Sequence, residues 1–133
     1  MGKRSIQAVF GLSALYDLIL GLIFLLIPLQ IYNFFTIPPP NHWGYVHFPA
    51  LLLLIFALMF FAIAWNPLQN RNLIPYGVLF KFSYSGVVLY YWIASGLPHL
   101  WKPFAIVDAV MAILFIWAYV KLTDPDIQEE LEE

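Results

Sequence analysis

Residues 48–65 read FPALLLLIFALMFFAIAW, a run of eighteen residues without a charged side chain. About 20 apolar residues suffice for a helix to cross the hydrocarbon core of a bilayer. Similar runs occupy about residues 6–27, 74–95 and 103–122. The sequence therefore predicts four membrane-spanning helices.

The composition of the 133-residue chain agrees with this interpretation. Hydrophobic residues make up 62% of the chain, charged residues 11%, and the mean hydropathy is +0.80. Soluble domains carry about 45–50% apolar and about 25% charged residues. The length suits one domain, and the connections between the runs are too short for a second one. We therefore expect an all-α fold, an integral membrane antiparallel four-helix bundle over residues 1–122.

Three prolines support the boundaries of the spans. Pro49, Pro75 and Pro103 stand where the first turns of the second, third and fourth spans are expected to begin. Proline is tolerated there because its missing N–H has no partner in a first turn. The first run is longer than the apolar core of a signal peptide, so we expect it to be retained as a helix.

The basic residues predict the orientation of the bundle. Lys3, Arg4, Arg71 and Lys121 fall on one side of the predicted spans and Lys102 on the other. The positive-inside rule then places both termini in the cytoplasm. The predicted location is within a membrane, with the lipid bilayer as the main partner.

Residues 123–133 form a separate acidic tail. Six of the eight acidic residues lie in the last ten positions, and the remaining charges are few and dispersed. This pattern does not predict nucleic-acid binding. The tail begins like a capped helix, with Asp124 or Thr123 as the N-cap and Pro125 in the first turn. We interpret it as a short solvated acidic helix or a disordered tag, with a docking site as the third alternative.

No motif assigns a catalytic residue, metal or cofactor. The chain has no cysteine, which excludes disulfides and Cys-ligated metal sites, and it lacks the familiar nucleophile and phosphate-binding motifs. His42, His47 and His99 are predicted near the outer face, where three imidazoles could gather around a metal. We interpret them instead as interfacial side chains, and an enzymatic activity is not predicted.

Three ionisable residues fall inside the predicted spans: Asp17, Lys81 and Asp108. Such groups are costly in a membrane unless they are paired, so they are candidate functional residues. Their depths, at a rise of about 1.5 Å per residue, allow Lys81 to reach Asp17, with Asp108 one turn further out. The sequence predicts an Asp17–Lys81 pair inside the bundle.

Polar side chains on the helical face of Lys81 complete this candidate cluster: Tyr84, Ser85 and Trp92. Two acids against one lysine leave one potential negative charge in excess. Either one carboxyl is neutral, or water or a bound cation reaches the site. The cluster is either a buried ion pair that fixes helix register or a site for a proton, ion or polar headgroup.

Three stretches of the sequence, each with isolated polar residues among apolar ones, resemble a known group of membrane proteins. The strings are YDLILGLIFL from Tyr16, GVLFKF from Gly77 and VDAVMAILF from Val107. This pattern resembles the small four-helix bacterial membrane proteins of the DoxX-like families, which are largely uncharacterised. The resemblance implies a small inner-membrane protein, in some relatives an accessory partner of redox enzymes. Known DoxX-type proteins carry a Gly-x-x-Lys element in the first helix, whereas the lysine here is in the third, so no activity is carried over.

Two functional hypotheses follow. The leading one is a non-catalytic accessory or assembly component of a membrane complex, with a membrane-protein partner or a homo-oligomer. It rests on the short loops, the charged tail and a seam of small residues, Ala50, Ala57 and Ala64, that allows close helix approach. Its further premise is that the abundant large side chains can fill the bundle interior. The alternative is a lipid-, quinone- or proton-handling module that uses the buried Asp/Lys cluster.

Overall fold

A computed structural model describes residues 2–133, which form helices and no β-strand. The helices are α1 (Lys3–Leu26), α2 (Pro28–Phe34), α3 (Gly44–Trp65), α4 (Ile74–Ala94), α5 (Trp101–Lys121) and α6 (Pro125–Glu132), with a 3₁₀ turn (Arg71–Leu73) before α4. By length and composition, α1, α3, α4 and α5 can cross a membrane. The predicted all-α, four-span architecture is confirmed, and the span ends differ from the predicted ones by at most four residues.

Neighbouring long helices run antiparallel. Gln7, near the start of α1, donates a hydrogen bond to the carbonyl of Ala64, near the end of α3. Ser85 on α4 donates to the carbonyl of Ala105 on α5. We call the end of the bundle that holds α2 and the α4–α5 connection the loop end, and the opposite end, which holds both chain termini, the termini end.

Small side chains bring α1 and α3 close together. Ala50 and Ala57, two members of the predicted seam, are buried in the bundle. A Cβ added at Gly21 on α1 would lie 3.0 Å from the carbonyl oxygen of Ala50 and 2.8 Å from the side chain of Leu54. The α1–α3 contact therefore depends on the absence of a side chain at position 21.

Fully buried aromatic rings pack together toward the termini end. The ring of Phe115 lies 4.6 Å from that of Phe10 and 5.0 Å from that of Phe60, measured between centroids. All three side chains are fully buried, and Ile6, Ile63 and Ile74 extend the same core. The loop end has only a smaller buried group around Phe24, Tyr32 and Ala50. The two halves of the bundle are thus packed differently.

Helix α2 was not predicted from the sequence. Ile27 leaves the helical conformation at φ −133° and ψ 44°, and Pro28 then occupies the first turn of α2. The preset φ of proline suits this position, so the chain starts a new helix after the bend. Tyr32 is buried by its packing against Trp43 and Trp101, with ring centroids 5.3 and 6.1 Å away. This burial raises the pKa of the Tyr32 hydroxyl.

The position predicted for Pro49 is wrong. Helix α3 begins at Gly44, so Pro49 lies inside the helix and not in its first turn. The backbone N–H of Gly44 donates to Nδ1 of His42 at 2.9 Å, which satisfies a donor at the helix start and allows the earlier beginning. Pro49 has no N–H to donate to the carbonyl four residues before it.

The acidic tail forms helix α6. The side chain of Asp124 accepts a hydrogen bond from the N–H of Asp126, which identifies Asp124 as the N-cap. Ile127 is buried and Leu131 packs beside it, while Glu129 and Glu130 are exposed. The tail is therefore a helix whose apolar side rests on the bundle and whose acidic side faces outward.

Candidate functional site

Three helices bring the ionisable residues of the spans together. Lys81 Nζ on α4 donates to Oδ1 of Asp17 on α1 at 2.7 Å and to Oδ1 of Asp108 on α5 at 3.3 Å. Asp17 and Lys81 are fully buried, and Asp108 nearly so. The Asp17–Lys81 pair predicted from the sequence is present, and Asp108 joins it in one buried cluster.

Aromatic rings surround the ammonium group. Lys81 Nζ lies 5.3 Å from the ring centroid of Tyr16, 5.5 Å from that of Phe60 and 5.6 Å from that of Phe80. The negative faces of aromatic rings attract a cation, and more strongly away from water. The lysine thus has stabilising neighbours besides the two carboxylates.

Two polar atoms beside this cluster have no hydrogen-bond partner among residues 2–133: Oδ2 of Asp17 and the hydroxyl oxygen of Tyr16. Buried polar groups are satisfied in the great majority of cases, because an unmade hydrogen bond costs about 1–3 kcal/mol. The unused oxygen of Asp17 can accept a hydrogen bond, and the Tyr16 hydroxyl can donate or accept one. Both atoms are suited to hold a polar group from outside the chain.

A cavity of about 370 Å³ reaches the cluster. It is partly open to the surface, and its lining is mainly apolar. The lining residues come from five helices: Tyr16, Asp17, Leu20, Phe24, Tyr32, Tyr45, Val46, Pro49, Ala50, Leu52, Leu53, Phe80, Tyr84, Trp101, Phe104 and Asp108. The premise that side chains fill the whole interior does not hold in this half of the bundle.

The cavity wall contains the two carboxylates without the ammonium group. Asp17 and Asp108 both line the cavity, whereas Lys81 is not among the lining residues. With all three groups ionised, the cluster carries one net negative charge. In that charge state, both acidic residues of the cluster belong to the cavity wall and the basic one does not.

The polar neighbours predicted for Lys81 differ in their positions. Tyr84 lines the cavity, and its hydroxyl donates to the carbonyl of Trp101 at 3.0 Å. Ser85 donates to the carbonyl of Ala105 at 2.7 Å and so ties α4 to α5. Trp92 is not brought to the cluster. It is 43% exposed, and its ring lies 4.6 Å from Nζ of Lys102.

The three histidines lie at the loop end. His42 accepts from the N–H of Gly44, and Nδ1 of His99 lies 2.9 Å from Nζ of Lys102. His47 is partly exposed on the first turn of α3. Within residues 2–133, no group of three or more histidine and acidic side chains is placed to hold a metal ion.

Sequence reasoning did not identify most of the cavity wall. Tyr16 precedes Asp17 directly, and a tyrosine next to an intramembrane acid is a signal that could have indicated its role. The wall from α3, with Pro49 and Leu53, carries no charged residue and only one hydroxyl group, that of Tyr45, so it does not differ from ordinary lipid-facing sequence. Only the arrangement of the helices identifies these residues.

No protein-family model, curated protein or solved structure matches the chain. The resemblance to the DoxX-like families therefore stays a prediction, and the cavity with its polar end is the feature of the molecule that bears on its function.

Proposed function

We propose that this integral membrane protein binds an amphipathic small molecule whose polar head lies against Asp17 and Tyr16. The observation that carries this proposal is a mainly apolar cavity lined by Asp17, a fully buried residue whose carboxylate oxygen Oδ2 has no partner. Ligand sites are typically apolar concavities with a few convergent polar groups. The apolar wall suits the body of such a molecule, and the unpartnered oxygens suit its head.

The position of the opening supports entry from the bilayer. The α3 wall of the cavity includes Tyr45 and Pro49, which are exposed on the outside of the bundle. Further toward the termini end, the stacked rings of Phe56 on α3 and Phe80 on α4, 3.8 Å apart, close the gap between these helices. An amphiphile that enters between α3 and α4 on the loop side of this stack reaches Asp17 without crossing the packed core.

The accessory role keeps one supporting observation, the exposed acidic side of α6. Glu129, Glu130, Glu132 and Glu133 are exposed there and could contact a basic partner. We rank this role second because it does not explain the cavity or the unpartnered oxygens beside it. Capture of one membrane protein by the wild-type chain, lost when these four residues become Gln, would support the accessory role.

We also propose a bacterial inner membrane with both termini in the cytoplasm. Lys3, Arg4, Arg71 and Lys121 lie at the termini end, and the positive-inside rule favours the cytoplasm for that end.

Native mass spectrometry of the detergent-solubilised protein tests ligand binding. The probes are dodecylamine, dodecanol and dodecanoate, which share one alkyl chain and differ in the head group. We expect a one-to-one adduct with at least one of them. Leu53→Trp should weaken this adduct by about tenfold or more, because the larger ring occupies the cavity that Leu53 lines.

Leu58→Trp is the matched control, since Leu58 lies on the same helix and is exposed to the lipid side. This variant should bind as the wild type does. Absence of an adduct with all three probes, or equal binding by the Leu53→Trp variant, would contradict the proposed function.

A further inference from the structure

We infer that the head group recognised by this cavity is an organic cation, a protonated amine carried on an apolar body. This inference rests on the proposed function and specifies its ligand class. It follows from the charges on the cavity wall, the unpartnered oxygen of Asp17 and the aromatic character of the lining.

The charge distribution selects against an anion and for a cation. Asp17 and Asp108 line the cavity, Lys81 does not, and none of the lining residues in the described part of the chain is basic. A buried charge without compensation is unfavourable in a low-dielectric interior. One cationic head group neutralises the excess negative charge of the cluster, while an anionic head group adds to it.

Hydrogen-bond geometry favours the same class. Lys81 uses Oδ1 of Asp17 at 2.7 Å, and Oδ2 of the same carboxylate is left without a partner. A protonated amine is a donor without acceptor capacity, and its hydrogen bond to a carboxylate is charge-assisted and stronger than a neutral one. The hydroxyl of Tyr16 has no partner either and can accept a second N–H of the amine.

The lining supplies a further contribution, because half of its residues are aromatic. Tyr16 and Phe80 already lie within 6 Å of the Lys81 ammonium, and both rings also line the cavity. Phe104 and Tyr84 add rings from α5 and α4. Aromatic rings that surround a desolvated cation stabilise it, as in sites for quaternary ammonium groups.

Comparison of the three probes tests this inference. Dodecylamine is protonated at neutral pH, as lysine is. We expect its adduct to form at about one tenth of the concentration that dodecanol needs, with dodecanoate the weakest, since a charge-assisted hydrogen bond exceeds a neutral one. The measured quantity is the ratio of the dodecanol and dodecylamine concentrations that give the same amount of adduct. This ratio is compared between the wild type and each variant at the same detergent concentration, so that partitioning of the probes into micelles cancels.

Asp108→Asn is the decisive variant. It removes the net charge but keeps the Asp17–Lys81 pair at 2.7 Å, and asparagine has nearly the same shape as aspartate. The preference for the amine over the alcohol should fall to about twofold or less, because the remaining cluster is neutral. Asp126→Asn, an exposed change on α6, should leave the preference intact.

Equal binding of amine and alcohol by the wild type would overturn the cation inference while leaving the proposed function in place. Persistence of the amine preference in Asp108→Asn would also overturn it.

If Asp108→Asn does not fold, Tyr84→Phe and Tyr16→Phe provide a second measurement. Tyr16→Phe should weaken the amine adduct several-fold and Tyr84→Phe should not, because the Tyr84 hydroxyl is already bonded to Trp101. Equal effects of these two changes would contradict the placement of the head group.

Discussion

Lys81 holds together three helices through two carboxylates, and these two contacts are not equivalent. Its distance to Asp17 is 2.7 Å and to Asp108 is 3.3 Å. The side chain of Asp17 is fully buried, whereas the side chain of Asp108 is 9% exposed. The loss of lysine therefore leaves two buried acids facing each other, and the loss of one acid leaves lysine with the other.

This asymmetry predicts the order of stability among single variants. Lys81→Met should lower the free energy of unfolding by about 3–5 kcal/mol, the usual cost of breaking a buried pair. Asp17→Asn should cost less, because Lys81 keeps Asp108. The double variant Asp17→Asn/Lys81→Met should be more stable than Lys81→Met alone, since it removes one of the two opposed carboxylates.

Unfolding in a titration of sodium dodecyl sulfate, followed by helical circular dichroism, measures these differences. Lys121→Met is the control, because Lys121 is exposed at the end of α5. A loss from Lys81→Met no larger than that of the control would show that the cluster does not stabilise the bundle.

The sequence was sufficient to predict the Asp17–Lys81 pair, because depth along a helix follows from residue number alone. It was insufficient for Tyr16, whose hydroxyl is unpartnered only because no acceptor from another helix lies beside it. Trp92 shows the opposite case. Its spacing places it on the face of Lys81, but it contacts Lys102 near the loop end and not the cluster.

At the scale of helices, the close contact between α1 and α3 gives a sharp prediction. Gly21→Ala should destabilise the bundle by about 1–3 kcal/mol, because the added methyl meets backbone at Ala50 that cannot rotate away. Gly11→Ala is a matched control on the same helix, with nothing within 4 Å of its added methyl. That change should stabilise the helix by up to about 1 kcal/mol.

The same detergent titration compares these two variants. A smaller effect at position 21 than at position 11, or two changes of the same sign, would contradict the packing at Gly21.

The elements also show what local sequence can and cannot specify. The four spans follow from length and hydropathy, which are local properties. The start of α3 depends on His42, whose Nδ1 accepts a hydrogen bond from the N–H of Gly44. The end of α1 depends on the bend at Ile27, before Pro28. These details are also local, but they depend on a side-chain hydrogen bond and a backbone bend that length and hydropathy do not show. The position of Pro49 and the existence of α2 were therefore not predicted.

For the whole molecule, orientation in the membrane is testable by reporter fusions. Alkaline phosphatase fused after residue 40 should be active, because this enzyme folds only outside the cytoplasm. Green fluorescent protein at the C-terminus should fluoresce, because it folds inside. An inactive phosphatase together with a dark C-terminal fusion would reverse the proposed topology.

The cavity is a property of the whole molecule that composition could not predict. The abundant phenylalanine, leucine and tyrosine supply enough volume to fill a four-helix core, and near the termini end Phe10, Phe60 and Phe115 do so. Toward the loop end, the same residue types line a partly open space instead of filling it. Interhelical spacing of this kind depends on all contacts in the bundle together.

The unequal packing of the two halves makes the protein one-sided with respect to the bilayer. The cavity is lined by residues from the loop half of the bundle, and the rings of Phe56 and Phe80 stack on its side toward the termini end. An amphiphile that used this cavity would therefore approach Asp17 from the leaflet at the loop end, since Phe10, Phe60 and Phe115 fill the core of the other half. If the proposed binding holds, the lipid composition of that one leaflet determines which molecules the cavity meets.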